Sequence, residues 1–222
     1  MPFVVAIDGP AGAGKSTVAR KLAERLGLLY LDTGAMYRAV ALFFLRRGLP
    51  PEEELVCPRL SEVELRLEGD RVYLCGEDVT RAIRSPEVDR SVSLYSAIGC
   101  VRELMVGLQR EIVEARGGGV AEGRDVGTAV FPGAALKVFL WASPEERARR
   151  RLSERGEGLT YEEVLEDIRR RDEIDSARAI NPLRRAEDAL FVDTTSMSIE
   201  EVVGLLERAA REAAAERGLL LP

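Results

Sequence analysis

Apolar residues run unbroken from Phe3 to Ile7 and stop at Asp8-Gly9, the pattern of a strand buried on both faces of a parallel sheet. Beyond a glycine-rich turn the period changes. Val18, Ala19, Leu22, Ala23 and Leu26 recur at helical spacing, and Gly27 is placed to cap the helix. LLYLDTG (28–34) reads as a second strand, and a helix is expected from Ala35 to Arg47 before PPEEE (50–54) breaks the pattern. Residues 63–79 alternate around Gly69-Asp70, as a small hairpin inserted in an α/β core would. Two helices follow, the second ending at GGG (117–119). VAEGRD (120–125) and LKVFLWA (136–142) read as strands. SPEE (143–146) predicts a capping box, with Ser143 at the N-cap, Pro144 at N1 and Glu146 at N3, opening a helix that runs to Gly156 and Gly158. A helix from Thr160, a strand at ALFVDTT (189–195) and a helix over 198–217 complete the chain. Strands alternating with helices predict a doubly wound parallel sheet.

Composition narrows the chemistry. At 222 residues the chain is long enough to bury one sizeable core. No apolar run approaches the roughly 18 residues that span a bilayer, and MPFVVAIDGP reads as a strand rather than a signal peptide, so no membrane partner is expected. A net charge of −6 argues against general nucleic-acid binding. With no histidine, histidine triads and histidine-based zinc sites are excluded. Only three of the 32 basic residues are lysine. The arginine excess reads either as genome composition or as bidentate phosphate binding. Cys57, Cys75 and Cys100 form no CxxC and suggest unpaired thiols in a reducing cytoplasm.

GPAGAGKS fits the P-loop pattern, and the context is the one it requires: a strand before, an amphipathic helix after. Gly9, Pro10, Ala11, Gly12, Ala13 and Gly14 would wrap backbone N–H groups around phosphate oxygens at a helix N-terminus. Lys15 would reach the β- and γ-phosphates, Ser16 would ligate Mg²⁺, and Thr17 would add a phosphate contact. A nucleoside triphosphate with Mg²⁺ is the expected ligand. Asn181 is the sole asparagine, so no guanine-reading N-K-x-D motif exists. In RDEIDSARAINPL, Arg171, Asp175 and Arg178 are spaced to share one helix face ahead of Pro182, as a salt-bridge stripe or as an anion clamp. Arg147, Arg151 and Arg155 also share a face.

Two further stretches, LDTGAMYR (31–38) and EGRDVGTAVFP (122–132), complete a set with IDGPAGAGKST and RD-x₂-D-x₂-R-x₃-PL. In order and spacing, from Ile7 through Asp193, this set resembles the bacterial cytidylate kinase family. The resemblance implies the nucleoside monophosphate kinase fold: a parallel sheet flanked by helices, a monophosphate-binding insertion at about 35–106 carrying the hairpin, and a lid at about 146–172. It implies a cytoplasmic enzyme, expected to be a monomer, that transfers the ATP γ-phosphoryl group to CMP or dCMP with Mg²⁺. Residue by residue, Thr33, Arg38, Ser93, Arg102, Arg124, Asp125, Arg171, Asp175 and Arg178 match the family's monophosphate site, with Thr33 replacing the usual serine. Lys15, Arg124, Arg147 and Arg151 are the expected catalytic residues, and Gly156 and Gly158 a hinge. A different acceptor (UMP, shikimate or dephospho-coenzyme A), an ATP-binding regulatory module and a purely structural protein are the competing readings. Physical chemistry makes the first assignment sensible. A nucleoside monophosphate is already an ionised nucleophile, its second pKa being about 6. Positioning and charge neutralisation then suffice, and a chain without histidine can supply both.

Overall fold

The computed structural model describes residues 2–155 and 160–221. In chain order its elements begin with β1 (Phe3–Asp8), α1 (Lys15–Leu26), β2 (Leu29–Asp32), α2 (Thr33–Leu45) and α3 (Glu53–Val56). Next come β3 (Leu65–Glu68), β4 (Arg71–Leu74), β5 (Glu77–Asp78), α4 (Pro86–Tyr95) and α5 (Gly99–Ala115). The last are β6 (Gly118–Gly123), β7 (Leu136–Trp141), α6 (Pro144–Arg155), α7 (Tyr161–Ala177), β8 (Leu190–Asp193) and α8 (Ile199–Ala215). The chain divides into two compact units, one of Met1–Leu31 with Arg110–Pro222, the other Asp32–Gln109.

The first unit is built on a five-stranded sheet in the order β2-β6-β1-β7-β8. Strand β1 lies at its centre, parallel to β6 (Val5 opposite Val120, Asp8 opposite Gly123) and to β7 (Val5 opposite Leu136). All six of its residues are buried, which explains the uninterrupted apolar run. One core cluster joins Val5, Ile7, Val120, Val138 and Leu140 of the sheet to Val18, Leu22 and Leu26 of α1 and Val203, Leu206 and Ala210 of α8. The helical period in the sequence is the buried stripe of these two helices. The parallel sheet flanked by helices is the expected architecture. Because β6, β1, β7 and β8 run the same way, the turn after β1 and the ends of β6 and β7 gather at the carboxyl edge, where ligands bind in such sheets.

Three local expectations need correction. The helix does end ahead of GGG (117–119), at Ala115, but β6 starts at Gly118 and not at Val120. A Cβ on Gly118 would meet the Phe3 carbonyl oxygen at 2.3 Å, so the close pairing with β1 demands glycine. LDTG is not strand to its end: the Asp32 side chain accepts from the Ala35 N–H (2.8 Å) and starts α2 at Thr33. The capping box at Ser143 is half made. Its hydroxyl accepts from the Glu146 N–H (3.2 Å), but its own N–H donates to the Thr195 hydroxyl (3.1 Å), while Glu146 pairs with Arg149 and Arg150. Complete boxes occur instead at Thr160–Glu163 and Ser198–Glu201.

The second unit packs α2 and α4 with a small antiparallel sheet, β3-β4-β5. Leu65 opposes Leu74 and Glu68 opposes Arg71, leaving Gly69-Asp70 as the two-residue turn, and β5 adds a third strand. Helix α2 buries Met36, Ala39, Val40, Phe43 and Phe44, and the Phe44 ring stacks on Tyr95 at 6.0 Å between centroids. The expectation of three unpaired thiols is overturned here. Cys57 and Cys100, 43 residues apart in sequence, form a disulfide with Cα atoms 5.9 Å apart, and Cys75 is the free, exposed thiol. The compartment argument built on unpaired thiols loses its basis. Among the described residues, no single helix is long and apolar enough to cross a membrane.

Candidate active site

The loop from Gly9 to Gly14 connects β1 to α1, and Gly14 caps the helix in the left-handed region (φ 87°). Lys15 is buried, 5% exposed, and its ammonium donates to the Pro10 carbonyl (2.8 Å), so the lysine folds back across its own loop. Burial pushes its pKa down to about 7, with the neighbouring Arg124 guanidinium lowering it further and Glu122, Asp8 and Asp175 opposing. Ser16 and Thr17 are exposed on the first turn of α1.

Two acids that sequence reasoning missed serve this loop. Glu122, buried near the end of β6, accepts from the Ser16 hydroxyl at 2.6 Å across 106 residues of sequence. Asp8, the last residue of β1, accepts from the Val126 (2.8 Å) and Gly127 (2.7 Å) N–H groups. Burial pushes the Asp8 carboxyl up to about 6 against those two bonds, and the charge of Asp125 adds to the rise. Asp8 thereby anchors the turn after Asp125. Both acids stand at or beside strand carboxyl ends in a parallel sheet, and that position was the available signal.

An arginine cluster lies beside the lysine. The Arg124 Nε donates to Asp175 Oδ2 at 2.8 Å. Burial opposes the Arg124 charge, yet Asp175, with Glu122 and Asp172, holds its pKa above the ordinary value. Burial likewise opposes the Asp175 charge, and Arg124, Arg178 and Arg171 together keep its pKa below the usual carboxylate range. Arg171 and Asp175 are buried on α7. Arg178 departs from the expected helix face. Helix α7 ends at Ala177, and Arg178 is its cap residue (ψ 135°), with Nε donating back to the Asp175 carbonyl at 3.2 Å. Leu183 N–H takes the same carbonyl at 2.8 Å, so the exit turn, and not Pro182 alone, ends the helix.

Within the second unit, the Arg38 guanidinium reaches Asp89 of α4 (3.3 Å), and buried Ser93 lies one turn further along α4. Arg102, 1% exposed on α5, donates to the Ser96 carbonyl (2.9 Å) and faces the Tyr37 ring at 5.3 Å. Thr33 is buried at the start of α2, and Asp125 of the first unit is buried after β6. Neither Asp89 nor the Arg102–Tyr37 contact was legible in the sequence.

The arginines of α6 do not share one solvent face. Arg147 is buried and bonded to Ala142, Ala11 and Asp172. Its guanidinium is bonded to protein oxygens on three sides. Arg151 pairs with Asp167 of α7 at 3.1 Å. Arg150 bonds Glu146 (3.1 Å) and the Thr194 carbonyl (2.6 Å). Ala148 of α6 packs with Val164 and Ile168 of α7. The Arg155 side chain, Gly156 and Gly158 lie outside the described residues.

The same arrangement of elements recurs in solved structures. A gluconokinase from Sinorhizobium meliloti superposes with a TM-score of 0.53 at 15% identity, over 97% of this chain and 95% of that one, a likeness of fold alone. Sequence relatives carry more. The cytidylate kinase of Carboxydothermus hydrogenoformans is 52% identical over 91% of this chain and 94% of its own length. That of Mycobacterium leprae is 50% identical over 92% and 93%. The model of the family described as cytidylate kinase matches residues 5–212, from within β1 into α8. With the P-loop, the EGRD turn and the α7 cluster all inside the matched span, this chain belongs to the cytidylate kinase family.

Proposed function

We propose that this protein transfers the γ-phosphoryl group of ATP to CMP, and to dCMP, giving ADP and the corresponding diphosphate. The observation that carries the reading is the electrostatic proximity, inside one unit, of the P-loop lysine and an arginine cluster: Arg124 lowers the pKa of Lys15, and Asp175 touches Arg124. A donor triphosphate and an acceptor phosphate are both polyanions, and bringing them together needs cations on each side.

When ATP enters, the Lys15 ammonium would exchange the Pro10 carbonyl for β- and γ-phosphate oxygens, which also restores its charge. The loop N–H groups would hold the remaining oxygens. On the acceptor side Arg124, Arg178 and Arg38 would hold the CMP phosphate, with Asp175 keeping Arg124 aimed and charged. Arg171 and Asp175 would bond the sugar. Cytosine offers an amino donor at N4 and acceptors at N3 and O2, a pattern that Asp125 accepting and Arg102 donating, with Ser93 beside, would select over uracil. Thr33 supplies the hydroxyl where the family usually has serine. Arg151 would leave Asp167 to meet the transferring phosphoryl, as an arginine finger supplied in cis. We propose that residues 35–106, approximately, are the monophosphate-binding insertion and residues 146–172, approximately, the lid.

Mg²⁺ fits the donor set. Such an ion takes oxygen ligands, keeps several waters and needs only one or two protein groups beside the phosphates. The Ser16 hydroxyl with Glu122 at 2.6 Å is a pair of that kind. The ion would supply charge neutralisation of the β- and γ-phosphates. We place the monomeric enzyme in the cytoplasm on the strength of the family.

The test is ADP release with CMP, dCMP, UMP, AMP and shikimate offered in turn. CMP-dependent turnover is expected, with dCMP also used. No CMP-dependent turnover ends the proposal, and a preference for UMP reassigns Ser93, Arg102 and Asp125 while leaving the phosphotransferase reading in place.

A further inference from the structure

Arg147 is among the most deeply buried large side chains of the protein, at 1% exposure. It lies in the first turn of α6, and its bonds reach three different elements. The Nε donates to the carbonyl of Ala142, just beyond β7 (2.9 Å). One terminal nitrogen donates to the carbonyl of Ala11 in the P-loop (3.0 Å) and to Asp172 Oδ1 (3.1 Å), and the other to Asp172 Oδ2 (2.6 Å). A second contact brings the same residue against the loop: a Cβ on Gly12 (φ 77°) would lie 3.2 Å from the Arg147 Cβ. Asp172 belongs to α7, next to Arg171 and one turn before Asp175.

We infer that Arg147 is a positioning residue that sets the register of the P-loop against the acceptor-bearing helix α7, through Ala11 on one side and Asp172 on the other. A planar guanidinium can hold two carbonyls and a bidentate carboxylate at once, whereas a lysine ammonium cannot. The donor-side lysine and the acceptor-side arginines must meet with sub-ångström accuracy for in-line transfer, and small displacements are costly. The bond to Ala11 lies four residues before Lys15, and the bond to Asp172 three before Asp175. The inference rests on reading Arg171 and Asp175 as acceptor residues.

The experiment uses the full chain, with ATP and CMP varied independently well below each variant's melting temperature. Asp172→Asn keeps the shape of the side chain and one acceptor oxygen. It should raise the KM for ATP about fivefold and lower kcat about tenfold, although its route to the P-loop runs through Arg147. Arg147→Lys should give the same split, and the double variant should be within about twofold of the worse single one, because both break one linkage. A lower melting temperature with wild-type kcat and wild-type KM for ATP in Asp172→Asn would reduce the pair to a structural strut. Additive losses in the double variant would also overturn the inference. Asp175→Ala separates the underlying reading: it should weaken CMP binding more than ATP binding. An unchanged CMP affinity there removes α7 from the acceptor side, and with it the inference, whatever Asp172→Asn does.

Discussion

Around Gly9–Thr17 the polar work falls to the main chain, and the loop's own cation, Lys15, is held by a neutral carbonyl with its pKa pushed down to about 7. Around Arg124 and α7 the work falls to side chains, and burial is answered by an opposite charge: Asp175 against Arg124, Arg171 and Arg178. The loop is thus incomplete until an anion arrives, while the cluster is internally neutralised in part and keeps its charges at any ordinary pH. The difference follows from chemistry. An ammonium deprotonates when desolvated, but a guanidinium does not, so only the lysine registers its ligand as a change of protonation.

The most severe way to break this comparison is Lys15→Met. Turnover should fall by about 10³-fold or more, since the transferring phosphoryl loses its buried cation. Stability should move the other way. A lysine whose folded pKa lies below its unfolded one destabilises most below about pH 7, and that deficit fades as the pH rises toward the unfolded value. Below pH 7 the variant should therefore melt about 4 °C higher than the parent, the lost Pro10 bond offsetting part of the gain. A lower melting temperature at pH 6 would contradict the burial argument.

Next in size is Arg124→Ala, which strips a buried carboxylate of its closest partner. Both CMP binding and stability should suffer, the KM for CMP by about 100-fold and unfolding free energy by about 3 kcal/mol, read from kinetics and denaturant melts. Equal losses for ATP and CMP would blur the division into donor loop and acceptor cluster. Arg151→Ala, at the α6–α7 pair, should lower kcat about tenfold and leave CMP affinity within about twofold. Unchanged kcat would take Arg151 off the catalytic list.

The smallest effect is the sharpest test of the contrast. At pH 8, calorimetry in buffers of different ionisation enthalpy should register uptake of about one proton when ATP binds and none when CMP binds, because only Lys15 changes its protonation. Lys15→Met should abolish the uptake. Equal uptake with both nucleotides would place the titrating group elsewhere.

The sequence was most legible where one local period or one contiguous motif carried the information. Phe3–Ile7, the helix after the P-loop and the GPAGAGKS turn are read directly, because an unbroken apolar run, helical spacing and the loop's glycines are all short-range. Arg171, Asp175 and Arg124 were singled out as members of separate stretches, but nothing in either stretch told which would touch. Glu122, Asp8, Asp89 and Asp172 were passed over because each takes its role from a partner 25 to 118 residues away. The start of β6 was placed two residues late because a glycine after a helix and a glycine pressed against a neighbouring strand look alike in one dimension.

By itself, then, the sequence determined the alternation of strands and helices, the phosphate-binding turn and the supply of arginines without histidine. These follow from local periodicity and residue chemistry, which need no partner. Only the tertiary structure decided that Cys57 meets Cys100, that Arg178 leaves its helix to turn back on Asp175, and that Arg147 is bound to three elements at once. Burial and long-range pairing set those outcomes, and both exist only once the chain has closed on itself.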